Sequence, residues 1–296
     1  MSGAAGRPAV SVIVPFGGGS DELQPLLARL RQIALSTGDE LIVADNGSRP
    51  ASEARWVRPT SGLRVLPARG LRSPGFARNR AAEIATGEWL LFIDADTRPY
   101  PSLVEDYFDP RPGAWVGVLA GGIVDIAPST TRAARHSAAR AQMSQLTTLR
   151  RTGTPYAQTA NCAMRASAFL AIGGFNEKIR SGEDADLCFR LAAAGWQIEE
   201  RSRARVAHPT RASVRALLAQ LARHGSGAAW LERRYPGEFP APAPRRLAGR
   251  TAHAIRRAGA ALARGDWDQT AFALLDLLGT SAFDLGRLLS NRARAN

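Results

Sequence analysis

The sequence predicts an α/β fold, with a mainly parallel central sheet flanked by helices and a helical C-terminal extension. Three observations lead there. Short apolar, β-branched runs alternate with segments of helical period over the first hundred residues. One run, Trp89–Ile93, is apolar throughout, as a strand buried on both faces must be, and it ends in Asp94-Ala95-Asp96. The last part of the chain then changes to arginine-rich helical segments. At 296 residues and 45% apolar composition, the chain suits one large domain or one domain with an appendage.

The elements follow in order. Val10–Pro15 is short and β-branched, and Gly17-Gly18-Gly19 follows it. From Asp21 to Leu35, apolar residues recur at Leu23, Leu26, Leu27, Leu30 and Ile33, which is helical spacing. Glu40–Ala44 reads as a strand and ends at the turn Asp45-Asn46-Gly47-Ser48. Leu63–Leu66 is a third strand, and a helix over 76–85 leads to the strand Trp89–Ile93. Beyond these, Trp115–Asp125 and Gln158–Arg165 read as strands, Thr130–Arg150 as one basic, alanine-rich helix, and Glu183–Ala194 as a helix with acids in its first turn. Helices near 211–233, 245–263 and 268–290 complete the chain, with the proline cluster Pro236–Pro244 among them. The expected division is a catalytic domain over 8–235 and a basic helical extension over 236–296.

The formal net charge of +13 is uneven. Residues 1–200 carry 22 basic and 20 acidic side chains, and residues 201–296 carry 17 and 6. A near-neutral body therefore precedes a segment of net charge +11. Its leucines, among them Leu217, Leu218, Leu221, Leu274, Leu275, Leu278, Leu285 and Leu288, interleave with arginine. Three readings of this segment stay open: packing on the rest of the chain, peripheral contact with a membrane surface, and nucleic-acid binding. The last is disfavoured, because no recognised nucleic-acid motif accompanies the charge. Cys162 and Cys188 form neither a disulfide framework nor a metal spacing, so both are expected as reduced thiols in the core. No signal peptide and no apolar run of about eighteen residues is evident. The expected location is cytoplasmic, with peripheral attachment at the inner face of the membrane as an extension of that reading.

Two hard oxygen ligands at the carboxyl end of a buried strand suit Mg²⁺ or Mn²⁺ on a diphosphate. Side chains two apart on a strand point the same way, so Asp94 and Asp96 are expected to act together. Taken alone, the pair is equally a solvated acidic turn. It belongs, however, to an ordered set: Asp45, then Ala77-Arg78-Asn79, then Asp94-Ala95-Asp96, then Gly173-Gly174-Phe175-Asn176-Glu177, then Gly182-Glu183-Asp184-Ala185-Asp186-Leu187, then His208. With that set the chain resembles the family 2 glycosyltransferases over roughly residues 8–235. Its most specific part is Gly-Gly-Phe-x-Glu followed by Glu-Asp-x-Asp-Leu.

The resemblance implies a GT-A fold and inverting transfer of a sugar from a nucleotide-diphosphate donor. It implies that Pro15 and Asp45 bind the nucleoside, that Asp94 lies near the ribose and the metal, that Asp96 is the direct metal ligand, and that His208 is a further metal or diphosphate contact. It implies Asp184 as the catalytic base, with Glu183 beside it. Arg78 and Asn79 face the diphosphate on this reading, or form an exposed helix face on the plainer one. The loop Phe16-Gly17-Gly18-Gly19 departs from the family's usual pattern, which leaves the nucleotide base open.

The chemistry is consistent with these assignments. A leaving diphosphate calls for a divalent cation, and the attacking hydroxyl calls for one carboxylate base. The expected partners are a nucleotide-sugar donor and a glycan or lipid-linked acceptor. The alternatives are a nucleotidyltransferase, whose first loop would normally carry a basic residue absent here, and a non-catalytic protein that binds an anionic surface.

Overall fold

The computed structural model describes residues 6–47 and 62–295, except for the side chains at 244, 246 and 247. Ser48, the end of the expected turn, lies outside them. Packing divides the chain into two compact units, Met1–Val124 with Met143–His208 and Arg292–Asn296, and Asp125–Gln142 with Pro209–Asn291.

The chain runs through β1 (Val10–Phe16), α1 (Ser20–Leu30), β2 (Glu40–Asp45), β3 (Leu63–Pro67), β4 (Leu71–Arg72), α2 (Pro74–Ala82) and β5 (Trp89–Ile93). It continues through β6 (Arg98–Pro99), α3 (Leu103–Phe108), β7 (Val116–Ile126), α4 (Arg132–Ala139), α5 (Gln145–Leu149), β8 (Asn161–Arg165), α6 (Ala166–Ala171), α7 (Glu183–Ala193) and β9 (Gln197–Pro209). It closes with α8 (Val214–Arg234), α9 (Pro244–Ala263), α10 (Trp267–Gly286) and β10 (Arg294–Ala295).

The sheet order is β3-β2-β1-β5-β8-β7-β9-β6. β3, β2, β1 and β5 pair in parallel, whereas β8 is antiparallel to both β5 and β7, and β6 is antiparallel to β9. The period of two along each strand feeds two separate cores. Val10, Val12, Val14, Trp89, Leu91 and Ile93 face one side, where α1 and α3 cover them with Leu26, Leu30, Leu103 and Tyr107. Ile13, Leu90 and Phe92 face the other, under Phe76 and Ala77 of α2, Phe169 of α6 and Leu187 of α7. Burying each such side chain contributes about 1.5–3 kcal/mol. Cys162 and Cys188 are free thiols in this second core, as expected, and burial pushes both well above the ordinary thiol range.

The structure adds the short helices α3 and α6 to the expected elements and differs from them most clearly in three further places. The single helix expected over 130–150 is two short ones, α4 and α5, parted by a turn at Ala141, whose φ of 46° is left-handed and ends helical hydrogen bonding. α1 stops at Leu30, five residues before the expected end, and closes in a turn in which Ile33 N donates to Leu30 O. β9, thirteen residues long, escaped a sequence reading because charged residues fill much of its length, Gln197-Ile198-Glu199-Glu200-Arg201-Ser202-Arg203.

In the second unit, α10 packs against α8, α9 and α4. α8 and α10 approach each other backbone to backbone at two glycines. A Cβ on Gly225 would collide with the Phe283 carbonyl, and one on Gly286 with the Ala222 backbone. The proline cluster 236–244 lies within this unit, between α8 and α9. Among the described residues, no helix is long and apolar enough to cross a membrane.

Candidate active site

Beyond the carboxyl ends of β1, β2 and β5, Pro15, Phe16, Gly17, Asn46, Arg72, Ser73, Asp94 and Asp96 line a cleft of about 390 Å³. This is where ligands bind in parallel sheets, because the strand order diverges there and leaves a crevice. Each wall has a local cause. β1 hands Pro15 to the cleft, and Asn46 is held at its entrance by amide hydrogen bonds to Ala68 O (2.6 Å) and Leu71 O (2.9 Å). Ser73 caps α2, accepting from Phe76 N at 3.1 Å, while Pro74 starts the helix in the first-turn position it favours. The same hydroxyl donates to Glu177 O at 2.8 Å, tying the cleft wall to the Gly-Gly-Phe-Asn-Glu loop.

β5 ends at Ile93, and Asp94–Thr97 forms a turn in which Thr97 N and Oγ1 both donate to Asp94 O, at 3.1 and 2.7 Å. The turn therefore places Asp96, while Asp94 still follows the alternation of the strand. Asp94 keeps the parity of Leu90 and Phe92 and so faces α2, where Arg78 Nη2 donates to its Oδ1 at 2.6 Å. Asp96 Oδ2 lies 4.0 Å from His208 Nε2. β6 pairs with β9 in the register Arg98↔Ala207, which brings the residue after Ala207 to the turn.

Arg78 is the hub. Its guanidinium is buried, and its other arm donates to Glu183 Oε1 at 3.1 Å, so it bridges the Asp94 turn and the first turn of α7. Burial pulls its pKa down, but Asp94 and then Glu183 outweigh this and raise it, keeping the cation charged. Next to Glu183, Asp184 sits in the first turn of α7, and its Oδ1 accepts from Ala185 N at 2.8 Å. The Asp184 carboxyl is pushed up to about 7, first by desolvation and then by the Glu183 charge, against the pull of Arg78. A carboxyl near neutrality can accept a proton at physiological pH.

The remaining expected residues fall elsewhere. Asp45 is buried beneath the cleft and accepts from Gly47 N at 3.0 Å, while its neighbour Asn46 reaches the surface. Asn79 takes neither expected position, diphosphate contact or exposed helix face. Its amide donates to Phe175 O and Glu177 Oε1, both at 2.9 Å, and accepts from Phe175 N at 2.9 Å. The residues a sequence reading missed are Asn46, Arg72 and Ser73 as cleft walls. The Asn46-Gly47 turn after β2 was the signal for the first, and the Ser73-Pro74 cap for the last. Among the described residues, no group of three or more His, Cys, Asp and Glu side chains gathers around one point. What the chain offers a cation is a carboxylate–imidazole pair, Asp96 with His208, opening on a cleft with room for a diphosphate. Mg²⁺ and Mn²⁺ commonly bind in this way, taking one or two side chains and completing their shell with phosphate oxygen and water.

Comparison with known proteins places the chain in a family. Residues 11–173 match the pattern of glycosyl transferase family 2. The pre-mycofactocin glycosyltransferase of Mycobacterium tuberculosis is 30% identical over 236 residues, covering 77% of this chain and 48% of its own, so the chain spans about half the length of that relative. The succinoglycan biosynthesis protein ExoA of Rhizobium meliloti is 29% identical over 230 residues, covering 74% and 68%. The mannosyltransferase PcManGT from Pyrobaculum calidifontis, solved in complex with GDP-Man and Mn²⁺, superposes with a TM-score of 0.60 at 19% identity, over 94% of this chain and 87% of its own. The fold is the expected GT-A arrangement, and the family pattern covers more than half of the residues. The chain belongs to glycosyl transferase family 2.

Proposed function

We propose that the chain is an inverting, metal-dependent glycosyltransferase that moves a sugar from a nucleotide-diphosphate donor to a hydroxyl of a glycan or lipid-linked acceptor. One observation carries this reading. The cleft lined by Asp94 and Asp96, with His208 beside Asp96, is linked through Arg78 to Glu183 and so to Asp184, whose carboxyl is pushed up to about 7. Pro15 and Asn46 would flank the nucleoside, with Asp45 bracing the turn that holds Asn46. Asp96 and His208 would hold Mn²⁺ or Mg²⁺, which when bound neutralises the charge that develops on the departing diphosphate. Arg78 fixes Asp94 at the donor end and Glu183 at the base end, so both groups keep one geometry. Asp184 takes the proton of the acceptor hydroxyl as it attacks.

Since the base must be ionised, the transfer rate is expected to rise about tenfold per pH unit below about 7 and to level off above it. The Asp184→Asn variant is expected to lose transfer by about 10²–10⁴-fold and to keep donor binding. Thermal-shift measurements with GDP-, UDP- and dTDP-sugars, with and without Mn²⁺, test the donor half. GDP-mannose with Mn²⁺ is the first pair to try, because the fold neighbour was solved with it. Full activity of Asp184→Asn, or the same shift with and without Mn²⁺ for every donor, would overturn the reading.

A further inference from the structure

We propose that the outer face of α10 is a docking surface for a membrane leaflet rich in anionic phospholipid. Trp267, Leu274, Leu278 and Leu285 recur at i, i+7, i+11 and i+18, so all four lie within about 20° of the Trp267 direction around the helix. They are exposed by 65%, 47%, 48% and 66%. A continuous stripe of four large apolar side chains open to water differs from scattered surface leucines, because its area adds up along one line. Buried residues of the same helix, Phe272, Leu275 and Gly279, lie on another face, so the stripe is not spent on the unit's own core.

The charge distribution selects the occupant. The second unit carries fifteen arginines against seven carboxylates. The three acids within α10, Asp268, Asp276 and Asp284, stand at least about 80° round the helix from every residue of the stripe. Each is paired with arginine of the same unit: Asp268 with Arg132 and Arg135, Asp276 with Arg140 and Arg257, Asp284 with Arg250. The apolar stripe is thus free of acid, and exposed Arg256 and Arg264 of the preceding helix and its end stay available to anions. Apolar residues in one row beside excess arginine suit the boundary of headgroups and acyl chains, where an indole such as that of Trp267 is also favoured. Guanidinium groups match lipid phosphates bidentately. A second copy of the chain would bring a surface with the same positive excess, which the charge disfavours. The inference stands apart from the transfer chemistry, because it reads the second unit alone.

The test is co-sedimentation of the full chain with vesicles of phosphatidylglycerol and phosphatidylcholine, and with phosphatidylcholine alone. Wild type is expected to partition at least tenfold more strongly onto the anionic vesicles, and less so at high salt. The triple variant Leu274→Asp, Leu278→Asp, Leu285→Asp is expected to lose at least tenfold of that partition with unchanged helix content by circular dichroism. Should it fail to fold, the corresponding triple serine variant decides on the same readout. The proposal is overturned if wild type stays off anionic vesicles or if the folded variant sediments as well as wild type. It is also overturned if wild type is a dimer at micromolar concentration that these substitutions dissociate, since a second copy then covers the stripe.

Discussion

The two units hold their helices by opposite means. In the first, α2, α6 and α7 rest on the sheet through large rigid rings. Phe92, Phe169 and Phe175 form a triangle with centroids 5.2–5.5 Å apart, and Arg78 lies 5.5 Å over the Phe175 ring. In the second, α8 and α10 meet backbone to backbone at Gly225 and Gly286, and the Leu221 side chain of α8 lies against Gly279. Rings and buried ion pairs fix direction, and that is what a base and a carboxylate turn need. Backbone contact fixes distance with few side chains, while Trp267, Leu274, Leu278 and Leu285 of α10 face outward.

Breaking either device sharpens the contrast. The largest expected effect is that of Arg78→Met, which leaves the carboxylates of Asp94 and Glu183 without their shared cation. Removing one partner of a buried pair costs about 3–5 kcal/mol, and the lower end applies because Asp94 is 33% exposed. Urea unfolding is expected to read about 3 kcal/mol, together with loss of donor-dependent thermal stabilisation. Arg78→Lys is expected to recover part of the stability but little of the stabilisation by donor, since one ammonium cannot span two carboxylates as a guanidinium does. Next comes Gly225→Ala. Alanine favours a helix by up to about 1 kcal/mol, but its Cβ meets the Phe283 carbonyl, and overpacking costs about 1–3 kcal/mol. A net loss of about 1–2 kcal/mol with donor binding unchanged would place the damage in the second unit alone. The smallest is Ser73→Ala, which removes the α2 cap and the bond to Glu177 O for about 1 kcal/mol. Its readout is a weaker donor affinity that tracks the loosened wall, and an unchanged affinity would show that the rings suffice without the cap.

The parallel strands were legible because burial on both faces leaves no alternative to an apolar run; β5 was expected at Trp89–Ile93 and is found there. The acids that follow were legible for the same reason, since a carboxylate stands out where such a run stops. What sequence could not carry was pairing at a distance. Arg78 meets Asp94 sixteen positions on and Glu183 a hundred and five positions on, and nothing in its neighbours tells a bridge from a solvated arginine. Asn79 is similar: its role depends on the loop at 175–177 arriving beneath α2. The break at Ala141 was hidden because alanine favours a helix, and nothing in its neighbours marks a positive φ.

The last strand has a consequence for the order in which the molecule is made. β10 pairs with β4 in the register Arg294↔Arg72, Ala293 N donates to Lys178 O at 2.8 Å, and Arg72 is a wall of the cleft. That wall is thus completed by residues that leave the ribosome 222 positions after Arg72. At about 5–20 residues per second, roughly ten to forty seconds separate the two sides of one pairing. During that interval a nascent chain already holding β1, β2 and β5 has the floor of its cleft but not its finished rim. The rim of the cleft is therefore expected to form only after the second unit has emerged.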